Sequence, residues 1–128
     1  MKIGTIVSTP AVLGFVDHVG IVSQVDEHGR PTHVISNSEK NGRVAEERIE
    51  AFSSPTGRWD TKDYPGILAP EDVVARARAE FGRLWTLLDN CEHFVRRVHG
   101  IAPSSPQLAV ATVVGGLAAT LFAMRARE

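Results

Sequence analysis

Cysteine is nearly absent from this chain: the 128 residues include one, Cys91. A single thiol excludes a framework of disulfides within the chain and does not by itself form a zinc site. It suits a reducing compartment, in which a reactive thiol stays free. The start of the chain, Met1 to Gly4, also lacks the sustained apolar run of a secretory signal. We therefore expect the protein to fold in the cytoplasm.

The chain also lacks a large net charge, because its 14 Lys and Arg residues nearly balance its 15 Asp and Glu residues. Without a basic field the sequence gives no reason to expect a nucleic-acid partner, and without an acidic run it gives none to expect a charged tail. The length of 128 residues suits one domain with one core.

The first half of the chain predicts antiparallel strands. Residues Phe15 to Ser23 are apolar at both odd and even positions, which predicts a strand buried on both faces. The turn-forming segment Asp26 to Pro31 and the apolar segment Thr32 to Asn37 predict a strand that returns antiparallel. A third strand is expected from Arg43 to Phe52, although its Ala-Glu-Glu-Arg centre has helical propensity.

The second half predicts helices after a long loop over 53–69, which is rich in Ser, Pro, Gly and Asp. Pro70 opens a helix whose expected apolar stripe consists of Val73, Val74, Ala77, Phe81, Leu84 and Leu88. Gly82 marks a break after it. A further helix is expected from about Asn90 to Val98, with Gly100 at its C-terminal end.

The only cysteine lies at the start of this last helix. Asp89 and Asn90 precede Cys91 as candidate N-caps. A thiol in the first turn of a helix faces the positive end of the macrodipole, which favours the thiolate and lowers the pKa. The alternative is a buried structural cysteine.

The six residues 90–95, Asn-Cys-Glu-His-Phe-Val, resemble the signature of the lecithin retinol acyltransferase-like family of phospholipases and acyltransferases. That family belongs to the NlpC-type superfamily of permuted papain-like thiol enzymes. The resemblance covers the chain from about Gly14 onward. It implies an α+β, permuted papain-like fold in which a small antiparallel sheet packs against helices.

The resemblance also implies a catalytic site: Cys91 is the nucleophile, His18 the general base and His33 the orienting third member. The two histidines lie on the two strands of the predicted hairpin, which would bring the imidazoles into contact on one face. The helix that starts at Cys91 would then pack across that face and present its thiol to His18. The order His, His, Cys along the chain is the permuted arrangement.

Some features of the chain differ from the family signature or carry no clear role. The family usually has an aromatic residue and a tyrosine in the first histidine strand, and residues 18–22 (His-Val-Gly-Ile-Val) lack both, which leaves the substrate open. His93 is expected to make a supporting hydrogen bond, and His28 and His99 to be solvated. No paired ligand spacing supports a zinc site built from Cys91, His18 and His33, so no metal or cofactor is expected.

An uncharged C-terminal segment, Leu108 to Met124, is followed by Arg125 and Arg127. As a helix it would span about 26 Å, slightly less than a ~30 Å hydrocarbon core. Its small residues, Ala111, Gly115, Ala119 and Ala123, would suit helix–helix self-association in lipid. We expect a domain over 1–100, a linker over 101–107 and a hydrophobic C-terminal helix over 108–124. This helix is predicted to anchor the domain at the cytoplasmic face of a membrane; the alternative is a buried core helix.

Three functions are compatible with the sequence. The first is thiol-dependent acyl transfer on phospholipids or other lipid esters, with hydrolysis or transfer to an acceptor, through a Cys91 thioester. The second is an NlpC-type cysteine amidase or peptidase that uses the same residues. The third is a membrane-tethered module without catalytic activity.

Overall fold

A computed structural model of the chain describes residues 1–10 and 17–101. Among them, five strands form one antiparallel sheet in the order β4-β3-β2-β1-β5. The strands are β1 (Ile6–Thr9), β2 (His18–Val25), β3 (Pro31–Ser38), β4 (Arg43–Arg48) and β5 (Asp60–Asp63). The helices are α1 (Ile49–Phe52), α2 (Pro70–Arg78) and α3 (Cys91–Val98). The described chain is therefore α+β, as predicted.

The central strands β2 and β3 are largely buried on both faces, which confirms the prediction made from the apolar pattern of β2. On one face α2 and α3 complete a helix-side cluster: Ile6, Val19, Ile21, Ile35, Val44, Val73, Ala77, Cys91, Phe94, Val95 and Val98. On the other face α1 completes a Phe52-side cluster: Val7, Val22, Val34, Ile49 and Phe52. Successive side chains of a strand point to opposite faces, so Ile21 packs in the helix-side cluster and its neighbour Val22 in the Phe52-side cluster.

Several boundaries differ from the prediction. The third strand ends at Arg48, because the next four residues form α1 and bury Ile49 and Phe52. The predicted loop over 53–69 contains β5, a polar edge strand whose four residues are exposed and whose sequence therefore shows no apolar alternation. Residues 11–16, which include the start of the predicted first strand, lie outside the described residues.

The predicted apolar stripe after Pro70 is wrong beyond Ala77. Helix α2 ends at Arg78, and Phe81, Leu84 and Leu88 are exposed. The chain turns at Gly82, which has a φ of 88° that glycine adopts without the steric cost of a side chain. The predicted break at Gly82 is confirmed, and it follows a helix that has already ended at Arg78.

Phe94 should be the most costly apolar truncation on α3, because its side chain is fully buried in the helix-side cluster. We expect Phe94→Ala to lower the free energy of unfolding by ~3–5 kcal/mol, measured by urea denaturation. Phe81→Ala is the matched control, since that side chain is 45% exposed, and it should cost less than ~1 kcal/mol. Equal losses in the two variants would contradict this packing.

Candidate functional site

Helix α3 begins at Cys91 because Asn90 caps it. The Asn90 Oδ1 accepts hydrogen bonds from the backbone N–H groups of Glu92 (3.0 Å) and His93 (3.3 Å). In return, the Asn90 N–H donates to Nδ1 of His93 at 3.4 Å, which completes a capping box. Gly100, with a φ of 74°, follows the helix at its other end. The predicted cap, helix and terminating glycine are confirmed.

Removal of the cap should destabilise the start of α3. Asn90→Ala loses both accepted hydrogen bonds and the one that Nδ2 donates to the Leu87 carbonyl (3.1 Å). We expect a loss of about 2 kcal/mol, at the upper end for N-caps, in urea denaturation. Asn41→Ala is the control, because at Asn41 the backbone and not the side chain bonds to Ser38. A loss no larger than that of the control would contradict the capping role.

The Cys91 thiol is 2% exposed and belongs to the helix-side cluster. Burial raises its pKa to about 11, opposed first by a hydrogen bond from the Val19 backbone and reinforced by the negative charge of Glu92. The expected lowering of the pKa by the helix N-terminus is therefore wrong for this structure. Desolvation of the thiolate, together with the charge of Glu92, outweighs the backbone donors.

His18 lies at the start of β2, on the opposite face of the sheet from the thiol. It is four residues before Val22 and so shares the face of the Phe52-side cluster. Its ring centroid is 4.8 Å from that of Phe52, and its Nε2 is buried without a hydrogen-bond partner among the described residues. Burial, with a smaller effect of the Lys40 charge, lowers the pKa of His18 to about 4.

The structure brings the backbone of β2 to the thiol but not the imidazole of His18. The sulfur of Cys91 receives its hydrogen bond from the N–H of Val19, the residue after His18. The role of His18 as the base of Cys91 therefore stays a prediction. In the structure its ring packs against Phe52, on the face of the sheet opposite the helix-side cluster that contains Cys91. The reason is the alternation of side chains along β2: both faces of this strand are buried, so its apolar pattern did not assign a face to His18.

His33 lies at the far end of the hairpin from His18. It pairs with Gln24, and the register shifts between Val22 and Gln24. Gln24 is six residues beyond His18, which is about 20 Å along a strand. His33 Nδ1 lies 3.0 Å from the hydroxyl of Thr32. The predicted contact between the two imidazoles is therefore wrong, because the register separates them.

Of the other three histidines, His28 and His93 lie as predicted, and His99 does not. His28 is solvated as expected, with its side chain 72% exposed. His99 was expected to be solvated but is fully buried, because its Nε2 lies 2.7 Å from the Gly4 carbonyl and its ring packs edge-on against Tyr64. His93 makes the supporting hydrogen bond that the sequence predicted, as the capping partner of Asn90.

A cavity of about 400 Å³ opens near the start of α3; its lining includes Ser8, Asp17, Arg58, Trp59, Asp60 and Lys62. Lys62 and Asp17 form an ion pair at 3.7 Å. Both charges also act on Glu92, the residue after Cys91, whose pKa is raised mainly by burial. The cavity therefore lies at the same end of the sheet as the cysteine, and it carries two acidic and two basic side chains.

Within residues 1–10 and 17–101, no group of three or more His, Cys, Asp or Glu side chains is placed to hold a metal ion. The same ranges contain no helix with the length and apolar character needed to span a membrane. The predicted C-terminal anchor over 108–124, and most of the predicted linker before it, lie outside the described residues.

No model of a known protein family matches this chain, and no curated protein is significantly similar to it. The likeness to the lecithin retinol acyltransferase-like family therefore depends on the residues around Cys91 and on the two strand histidines.

Proposed function

We propose that this chain is a permuted papain-like thiol enzyme that transfers acyl groups from lipid esters. The observation that carries the proposal is the position of Cys91. The single cysteine is the first residue of a capped helix, within the hexapeptide that resembles the family signature. Backbone N–H groups of Val19, Glu92 and Cys91 itself act to lower the pKa of the thiol, although burial keeps that pKa raised in the substrate-free protein.

In the proposed reaction the sulfur of Cys91 attacks the ester carbonyl of a phospholipid. The carbon–oxygen bond to the lysolipid breaks, the lysolipid oxygen takes a proton, and the acyl group stays on the sulfur as a thioester. Water then releases a fatty acid, or an alcohol or amine acceptor takes the acyl group. The thiol proton must pass to a base, and we propose His18 for this role. Its ring packs against Phe52, so this role requires a rearrangement of the backbone at the start of β2 that turns the ring toward the thiol.

The charged lining of the cavity supports a substrate whose headgroup carries both a positive and a negative charge. Two carboxylates, Asp17 and Asp60, and two cations, Arg58 and Lys62, line it together with Trp59. Such a lining favours a headgroup that carries an ammonium and a phosphate over a purely anionic one. The segment over 108–124 is proposed to hold the domain at the cytoplasmic face of a membrane, where such lipids lie, and to allow helix–helix self-association there.

A second candidate is the non-catalytic module, which a specific observation favours. The thiol is buried with a raised pKa, and the His18 ring lies across the sheet from it. Cys91 would then be a small apolar core residue.

The test is release of labelled fatty acid from phosphatidylcholine in mixed micelles by the full chain. The proposed function predicts turnover that Cys91→Ala abolishes. Equal release by wild type and Cys91→Ala, or none by either, would overturn the proposal; the second outcome favours the non-catalytic module. Release of amino acids from murein peptides by wild type alone would instead favour the amidase.

A further inference from the structure

Asn37 is a fully buried polar side chain on β3 with one strong contact to the segment before α3. Its Nδ2 donates a hydrogen bond to the carbonyl of Asp89 at 2.9 Å. Asp89 comes two residues before Cys91, so this bond ties the sheet directly to the start of the helix. The other polar atom of the same side chain, Oδ1, is buried without a partner among the described residues.

Asn37 also lies at the same end of the hairpin as Val19, whose backbone contacts the thiol. Ile35 pairs with Ile21 in the hairpin. Asn37 lies two residues after Ile35 on β3, and Val19 lies two residues before Ile21 on β2. Both residues lie on the helix-side face, which they share with Ile21 and Ile35. The N–H of Val19 donates to the sulfur of Cys91. One end of the hairpin therefore holds both the sulfur and the chain that leads to it.

The carboxylate of Asp89 also holds the segment before α3, through two arginine side chains. It is bonded to Arg83 and, at 3.1 Å, to Nη1 of Arg97 on α3. These two contacts are partly exposed. The contact with Asn37, by contrast, joins Asp89 to a strand of the sheet. His33, which the sequence predicted as the third site residue on this strand, lies near the opposite end of the hairpin.

We infer that Asn37, rather than His33, is the β3 side chain that positions the Cys91 nucleophile. By holding the carbonyl of Asp89, it keeps the first turn of α3 against β2 and the sulfur on the Val19 amide. Its role as a positioning residue for a nucleophile rests on the proposed function. The placement of the thiol that it enforces can be measured without any substrate.

The experiment is the pH profile of Cys91 alkylation by iodoacetamide in the full chain, compared between wild type and Asn37→Leu. Leucine has a similar volume but cannot donate to Asp89. We expect a roughly tenfold faster alkylation in the variant and a rate–pH midpoint shifted downward toward the ordinary thiol value of ~8.5. Both changes follow from a helix start that opens and lets water reach the thiol.

Ser36→Ala is the matched control, because Ser36 is also fully buried on β3 but lies on the other face of the sheet. It should leave the profile unchanged. A general loss of stability would give alkylation through global unfolding, which accelerates steeply with urea. The faster alkylation of Asn37→Leu should instead be independent of urea at low concentrations. A strong dependence on urea would overturn the inference.

The outcomes separate this inference from the proposed function. An unshifted profile in Asn37→Leu, or an equal shift in Ser36→Ala, overturns the positioning role even if wild type turns over lipid. A shifted profile in a protein that never forms an acyl adduct supports the placement of the thiol by Asn37 and overturns the acyl-transfer proposal alone.

Discussion

Acidification from pH 6.5 to pH 4 should destabilise the folded chain by about 3 kcal/mol through His18 alone. Its pKa is about 4 in the folded protein, against an ordinary value of 6.5. In this window the unfolded chain holds a proton that the folded chain does not, so stability rises with pH and is lost as the pH falls. The difference between these two pKa values corresponds to a loss of about 3 kcal/mol in the free energy of unfolding.

The measurement is urea denaturation at a series of pH values for wild type and His18→Leu. Between pH 4 and 6.5, the free energy of unfolding of the variant should change less with pH, because the His18 contribution is missing. The part due to His93 and His99, whose pKa values burial also lowers, should remain. His28→Gln is the control, because that side chain is exposed, and its slope should match wild type. Parallel stability curves for wild type and His18→Leu would contradict the buried, neutral state of His18.

The same variant bears on the proposed reaction. His18→Leu removes a buried Nε2 without a partner among the described residues, so it should unfold no more easily than wild type at pH 7. If His18 is the base, its turnover of lipid should nevertheless fall by roughly 10²–10⁴-fold. A stable His18→Leu protein with undiminished turnover would remove His18 from the mechanism and leave Cys91 with another base.

Alkylation of Cys91 in the absence of substrate should be at least about 300-fold slower at pH 7 than that of an exposed cysteine. The pKa of Cys91 is about 11, and an ordinary thiol with a pKa of ~8.5 has about 300 times more thiolate at pH 7. Burial of the sulfur slows the reaction further. If Cys91 is the nucleophile, the bound lipid must open or desolvate the site in a way that favours the thiolate.

The measurement is the rate of iodoacetamide labelling, followed by mass spectrometry. A second protein, Leu88→Cys in a Cys91→Ala background, supplies the control, because Leu88 is 71% exposed. Labelling of wild type within a factor of ten of this control would contradict the buried thiol. Addition of a non-hydrolysable phosphatidylcholine analogue should accelerate labelling of wild type and leave the control unchanged.

Local signals in the sequence were sufficient for the elements that carry the candidate nucleophile. The cap at Asn90, the helix after it and the glycine at 100 depend on backbone groups within a few residues, so their residue types specify them. The break at Gly82 is of the same kind. The hairpin of β2 and β3 also followed from two apolar runs on either side of a turn.

The geometry between elements could not be predicted in the same way. Whether His18 faces the thiol depends on which parity of β2 meets α3, and a strand with both faces buried gives no signal for that choice. The separation of His33 from His18 follows from the length of the hairpin and the irregular register near Gln24. Asn37 was missed because a buried asparagine in a strand is identified only by its distant partner, Asp89.

The covalent state of Cys91 during reaction with lipid tests directly whether this cysteine is the nucleophile of an acyl transfer. The full chain is mixed with acyl-labelled phosphatidylcholine, quenched in acid within the first turnovers and digested for mass spectrometry. We expect one acyl group on the peptide that contains Cys91. Neutral hydroxylamine should release it, as it releases a thioester, and the group should be absent from Cys91→Ala. A wild-type protein that releases fatty acid while Cys91 stays unmodified at every quench time would contradict the role of Cys91 as nucleophile.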